Sequence, residues 1–180
     1  MLTIKVPPAE YFDEESGTFF TAKETVLQLE HSLISLAKWE SKWKKPFLGK
    51  ERKTPEQMLD YVRCMTLTQN VNPWVYGGLT TENFERINRY IDDPMTATWF
   101  REDKNRRLGR EVITAEIIYY WMIALNIPSE YQKWHLNRLL TLIRVCNEKN
   151  APQRKMSRRE VLAWQRAQNE ARKRRLHTRG

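Results

Sequence analysis

The chain has 180 residues, 41% of them hydrophobic, with seven Trp, seven Tyr and six Phe. That content excludes a wholly disordered chain, and the length suits one domain with at most a small appendage. Net charge is +9 and unevenly placed: residues 151–180 carry ten Lys/Arg against Glu160 and Glu170, leaving 21 basic and 20 acidic residues before them.

Cys64 and Cys146 are too few for a disulfide framework. Both fall inside helical apolar patterns and read as free, buried thiols in a reducing compartment. The first ten residues hold no continuous apolar run of the kind a secretory signal carries. The longest apolar stretch, residues 117–127, is far shorter than the roughly 20 residues a bilayer requires. We expect a soluble, intracellular protein that does not span a membrane.

At the N-terminus Leu2, Ile4 and Val6 alternate with Thr3 and Lys5, the period-2 signal of a strand. Tyr11-Phe12 and residues 18–20 flank a Gly17-containing loop and predict a hairpin. Pro7 and Pro8 restrict any sheet here to an edge. Thr21 to Glu24 then reads as a capping box, in which a hydroxyl and a Glu three residues on satisfy each other's backbone N–H groups. Behind it Val26, Leu29, Leu33, Leu36 and Trp43 recur at helical spacing, with Trp39 beside them, and predict a helix over about residues 22–44. Lys38, Lys42, Lys44 and Lys45 interleave with these Trp residues, but Trp43 lies on the apolar stripe and reads as packing.

Thr54-Pro55-Glu56-Gln57 is a second box, with Pro where a missing N–H costs nothing. Met58, Leu59, Val62 and Met65 form the apolar side of its helix. Asn72-Pro73 opens a short turn ending at Gly77-Gly78, and Thr80 or Thr81 starts a helix with Phe84, Ile87 and Ile91 inward, ending at Asp93-Pro94. Residues 101–110 read as a charged surface loop. Ile113, Ile117, Trp121 and Leu125 mark the most apolar helix, the expected centre of the core, ended by Ile127-Pro128. Ser129 to Gln132 reads as a third box before Trp134, Leu136, Leu139, Leu140, Ile143 and Cys146, and the short link predicts an antiparallel helical hairpin. Residues 150–152 mark a boundary. A fourth box, Ser157 to Glu160, opens a basic helix through Val161, Leu162, Trp164, Ala167 and Ala171. The expected architecture is a mainly α multi-helix domain at 1–150, with a β element at 1–20, and a basic helical tail at 151–180.

No site chemistry stands out. His31, His135 and His177 show no metal-ligand spacing with each other or with the cysteines. No nucleophile elbow or phosphate loop is present, and the acidic pairs sit in turns. We expect a binding protein with no catalytic residues, metal or cofactor. The tail leaves three readings open. Arg158, Arg159, Arg166, Arg172, Lys173, Arg174 and Arg175 would neutralise nucleic-acid phosphates; Val161, Leu162 and Trp164 would dock into a protein groove; or the charges are merely solvated. Trp74 and Tyr76 near Gly77-Gly78, and Trp99-Phe100 beside the charged loop, lie outside the helical stripes. They are either local core or, if exposed, partner-binding surface.

The segments LEHSLISLAKWESKW at residues 29–43, MTATWF at 95–100, ITAEIIYYWM at 113–122 and WHLNRLL at 134–140 resemble a family of small proteins encoded among the tail and virion genes of long-tailed bacteriophages. The resemblance spans nearly the whole chain, and size, helicity and the lack of catalytic motifs make the chain similar to tail assembly chaperones. It implies non-covalent work in the host cytoplasm on the tape measure protein and tail tube subunits, with self-association left open. The alternatives are a virion structural protein, such as a connector or tail-associated subunit, and a nucleic-acid-binding regulator acting through the tail.

Overall fold

The structure of the chain is a computed structural model that describes residues 1–13, 17–100, 112–151 and 157–176. It is mainly α, with six α-helices and two 3₁₀ helices among the described residues and a small antiparallel β element at the N-terminus. Strand β1 (Leu2–Val6) pairs with β4 (Thr25–Leu29), and β2 (Ala9–Asp13) pairs with β3 (Thr18–Ala22). One register runs through both ladders. Leu2 lies opposite Leu29, Val6 opposite Thr25, Ala9 opposite Ala22, and Asp13 opposite Thr18, with no residue gained or lost between them. The four strands are therefore one long hairpin, interrupted where Pro7 and Pro8 have no N–H to give to the ladder.

This corrects the helix expected from residue 22. Thr21 lies in β3, not at a helix N-cap, and residues 25–29 form β4. Val26, Leu29, Leu33 and Leu36 fit helical spacing, but Leu27 and Leu29 are also an alternating pair. Both are fully buried, while Val26 is exposed. The β-branched Thr25 and Val26 and the waiting edge of β1 decide in favour of the strand. Beyond β4, the Glu30 N–H donates to the Met65 carbonyl and the Leu67 N–H to that of Gln28, so the hairpin is stitched to the end of the second helix.

Helix α1 (Leu33–Trp43) starts at Ser32, whose hydroxyl accepts from the Ser35 N–H, and stops at Lys44 in a left-handed conformation. Leu33, Leu36 and Trp39 are buried, and the Trp39 indole N–H donates to the Gln57 carbonyl. Trp43 is half-buried, its indole N–H held by Asp60. Helix α2 (Pro55–Met65) forms the expected box: the Gln57 N–H donates to Thr54 Oγ1 at 3.2 Å, and the Thr54 N–H donates to Gln57 Oε1 at 3.0 Å. A 3₁₀ turn over Pro73–Gly78 follows. A Cβ at Gly78 would lie 3.0 Å from the Tyr11 hydroxyl and 3.1 Å from Val6 Cγ1, so glycine lets this turn lie against the hairpin. Helix α3 (Thr81–Asp92) is capped by Thr80 and packs on β1.

Helix α4 (Ala115–Ala124) is not the centre of the core. It buries Ala115, Ile118 and Met122 against α1, while Tyr120 and Ile123 on its outer side are 67% and 77% exposed. Its first N–H groups lack a side-chain cap from Thr114; instead the Ala115 N–H donates to Glu40 of α1. The third expected box does not form. Ser129–Lys133 is a 3₁₀ segment without a side-chain cap, a break follows at Trp134-His135, and α5 (Leu136–Asn150) begins beyond it. That break is held by the His135 bridge to Ser32 and by the Leu136 N–H, which donates to the His31 carbonyl at 2.7 Å. The α4–α5 helical hairpin is replaced by packing of both α4 and the 3₁₀ segment on α1.

The last helix, α6 (Arg158–Leu176), starts with the fourth box intact: the Ser157 N–H donates to Glu160, and the Glu160 N–H donates to Ser157 Oγ. The chain divides into two compact units, Met1–Asn147 and Glu148–Gly180. The charged loop expected at residues 101–110 lies outside the described residues, as does Pro152 of the expected boundary. Cys64 and Cys146 are free but half-buried rather than buried.

Candidate interaction surface

The strand alternation that buries Leu27 and Leu29 also fixes which aromatic groups remain outside. Phe12 and Phe19 are cross-strand partners, and successive side chains of a strand point to opposite faces. They lie on the face away from Tyr11, their rings 4.8 Å apart, and are 51% and 75% exposed. On α4 a helical spacing of three places Tyr120 and Ile123 together on the outer side. Glu116 shares that side, and large apolar groups beside a charge on an ordered helix are a surface available to another macromolecule or a second layer of structure.

The clusters singled out in the sequence divide. Trp74 is 44% exposed, its ring 5.9 Å from that of Tyr11. Its neighbours Val75 and Tyr76 are buried, and the Tyr76 hydroxyl donates to Thr66 Oγ1 at 3.0 Å. Tyr76 is therefore core, which corrects its place among partner-binding residues. A 3₁₀ turn of about three residues per turn explains the split, since consecutive residues point in different directions. Trp99 is 78% exposed, whereas Phe100 is partly covered by the Arg144 guanidinium 3.8 Å above its ring. Sequence reading missed Phe12, Phe19, Tyr120 and Ile123. Period-2 alternation would have placed the first two; on α4 the one charged residue, Glu116, stands four and seven residues before the others and marks their side.

No residue of α6 is buried. Leu162 and Trp164 are 47% and 57% exposed, Val161 is half-buried, and Arg158, Arg159, Arg166, Arg172, Lys173, Arg174 and Arg175 are all exposed. The sequence-derived residues Val161, Leu162 and Trp164 thus share one solvent-facing helix with the whole basic run.

Buried polar groups of the first unit are engaged in holding it together. Glu40 accepts from the Phe47 N–H at 2.7 Å and from the Ala115 N–H at 2.8 Å. Asp60 binds both Lys42 and the Trp43 indole. The His31 Nδ1 and the Tyr61 hydroxyl are 2.6 Å apart in a hydrogen bond, and the His31 and His135 ring centroids are 5.0 Å apart. The His135 Nε2–H donates to the Tyr90 carbonyl at 2.9 Å, which leaves its buried Nδ1 as the unprotonated acceptor, with no partner among the described residues. Burial, reinforced by His135, holds His31 down to about 3, and burial lowers His135 as well. Burial and the Glu30 hydrogen bond raise Tyr90. These are neutral packing groups joining β4, α2, α3 and α5.

Among the described residues no three His, Cys, Asp or Glu side chains converge to hold a metal ion, and no helix is long and apolar enough to cross a membrane. Compared with protein-family models, curated proteins and solved structures, the chain matches none of them.

Proposed function

We propose that this chain is a non-enzymatic assembly factor of the tail assembly chaperone kind, acting in the host cytoplasm on the tape measure protein and tail tube subunits. The observation that carries the reading is the set of uncovered apolar side chains in the first unit: Phe19 on β3, Trp99 beyond the end of α3 and Ile123 on α4 are each at least three-quarters exposed. Isolated exposed apolar residues are ordinary, but large aromatic and aliphatic groups on an ordered scaffold supply contact area at small entropic cost. A long helical client that would otherwise self-associate is a fitting occupant, since its apolar stripe needs cover until assembly.

Co-expression with the tape measure protein tests the reading. The chaperone role requires that the client's soluble fraction rise and that the two co-purify at moderate salt. An unchanged soluble fraction together with no co-purification would overturn it. The chaperone role also requires absence from mature particles, whereas a structural subunit would be found in them by mass spectrometry.

A further inference from the structure

The charges of α6 are segregated around the helix, and this carries an inference about a second ligand. At about 100° per residue, the nineteen positions of α6 fall into two sectors. One sector contains Arg158, Arg159, Arg166, Arg172 and Lys173 and no acidic residue. The opposite sector contains Glu160, Glu170, Arg174 and Arg175, which cancel, together with Val161, Trp164 and three alanines. The charge run is therefore not uniform: one side, which also holds Leu162, Leu176, Gln165 and Asn169, carries only positive charge, and the other is net neutral.

The basic sector is further ordered. Arg159, Arg166 and Lys173 stand seven residues apart, so they form a row with a repeat of about 10.5 Å. Arg158 and Arg172 flank the other side of the sector. Between the two rows lie Leu162 and Asn169, while Gln165 stands between Arg172 and Arg158; the two amides both donate and accept hydrogen bonds. A helix lying in the major groove of a duplex suits this layout: cations on both flanks for the two phosphate backbones, and between them an amide and an apolar side chain for base edges and thymine methyls.

We propose that α6 is a duplex nucleic-acid-binding helix whose basic sector contacts the phosphate backbones. B-form DNA suits it better than duplex RNA, whose deep, narrow major groove does not admit side chains in this way. The inference is independent of the tape measure reading, which rests on the first unit.

Fluorescence anisotropy of the full-length chain with a labelled 20-base-pair DNA, the matching RNA duplex and poly-glutamate tests it. DNA is expected to bind with a strong salt dependence. Arg159→Gln/Arg166→Gln removes two charges from the basic sector and should weaken binding about tenfold or more, lowering the salt slope by about two. Arg174→Gln/Arg175→Gln removes the same charge from the other sector and should stay within about threefold, where each phosphate contact is counted separately. Circular dichroism of both variants confirms that the helix persists. Equal loss in both variants means attraction to net charge alone and overturns the proposal. So does retention of poly-glutamate without DNA, or a preference for the RNA duplex.

Discussion

Glu40 shows how much one side chain fastens. Its two oxygens accept from backbone N–H groups of two distant segments, the turn after α1 and the start of α4. Glu40→Ala leaves both buried donors unsatisfied and should cost about 2–5 kcal/mol. Glu40→Gln retains one acceptor and should cost about half as much, and chemical denaturation of the two variants checks the ratio. His31 ties stability to pH. Folded, it stays neutral down to about 3; unfolded, it takes up a proton near its ordinary 6.5. Between those values the unfolded chain binds more protons, so stability is complete above 6.5 and declines as pH falls, by up to about 1.4 kcal/mol per pH unit. His135 acts in the same direction. Denaturation midpoints from pH 7 to 4 should decline for the native chain and less steeply for His31→Gln; a flat native profile would refute this account of the site.

Among the elements, those with local signatures were legible in the sequence. Hydroxyl caps at Thr54, Thr80 and Ser157 and the punctuation at Asn72-Pro73 and Asp93-Pro94 all mark observed boundaries. What was not legible depended on distant partners. β4 exists because β1 lies opposite it, and local spacing alone favoured a helix. The orientation of α4 is set by α1 and by Glu40 at its N-terminus, and in its own sequence only Glu116 marks the outer side. Of the candidate surface, Trp74 and Trp99 stood out because they lie off the helical stripes, and Phe12 and Phe19 follow from strand alternation, while the basic tail, whose charge is local, was read directly. Met122→Ala and Ile123→Ala separate the two sides of α4. Met122 is 3% exposed and Ile123 is 77% exposed. The first should cost about 2–5 kcal/mol and the second well under 1, by thermal or denaturant unfolding. Similar losses at both positions would mean that α4 is enclosed.

For the molecule as a whole, the two units differ in what they bury. Met1–Asn147 holds the aromatic and aliphatic core; α6 in the other unit buries nothing. Removing residues 151–180 should therefore leave the unfolding midpoint of the remaining chain within about 2 °C, since a midpoint shifts by roughly 2–4 °C per kcal/mol at this size. The same truncation lowers the net charge from +9 to +1 and should abolish salt-sensitive retention on nucleic acid.

The most direct test of the central claim is co-purification of a tape measure segment at about 300 mM salt, where charge attraction between exposed groups is largely screened. The wild-type chain should retain the segment. A Phe19→Ser/Ile123→Ser variant with an unchanged unfolding midpoint should lose it. Equal retention by that variant would contradict the claim that these uncovered apolar side chains hold the partner.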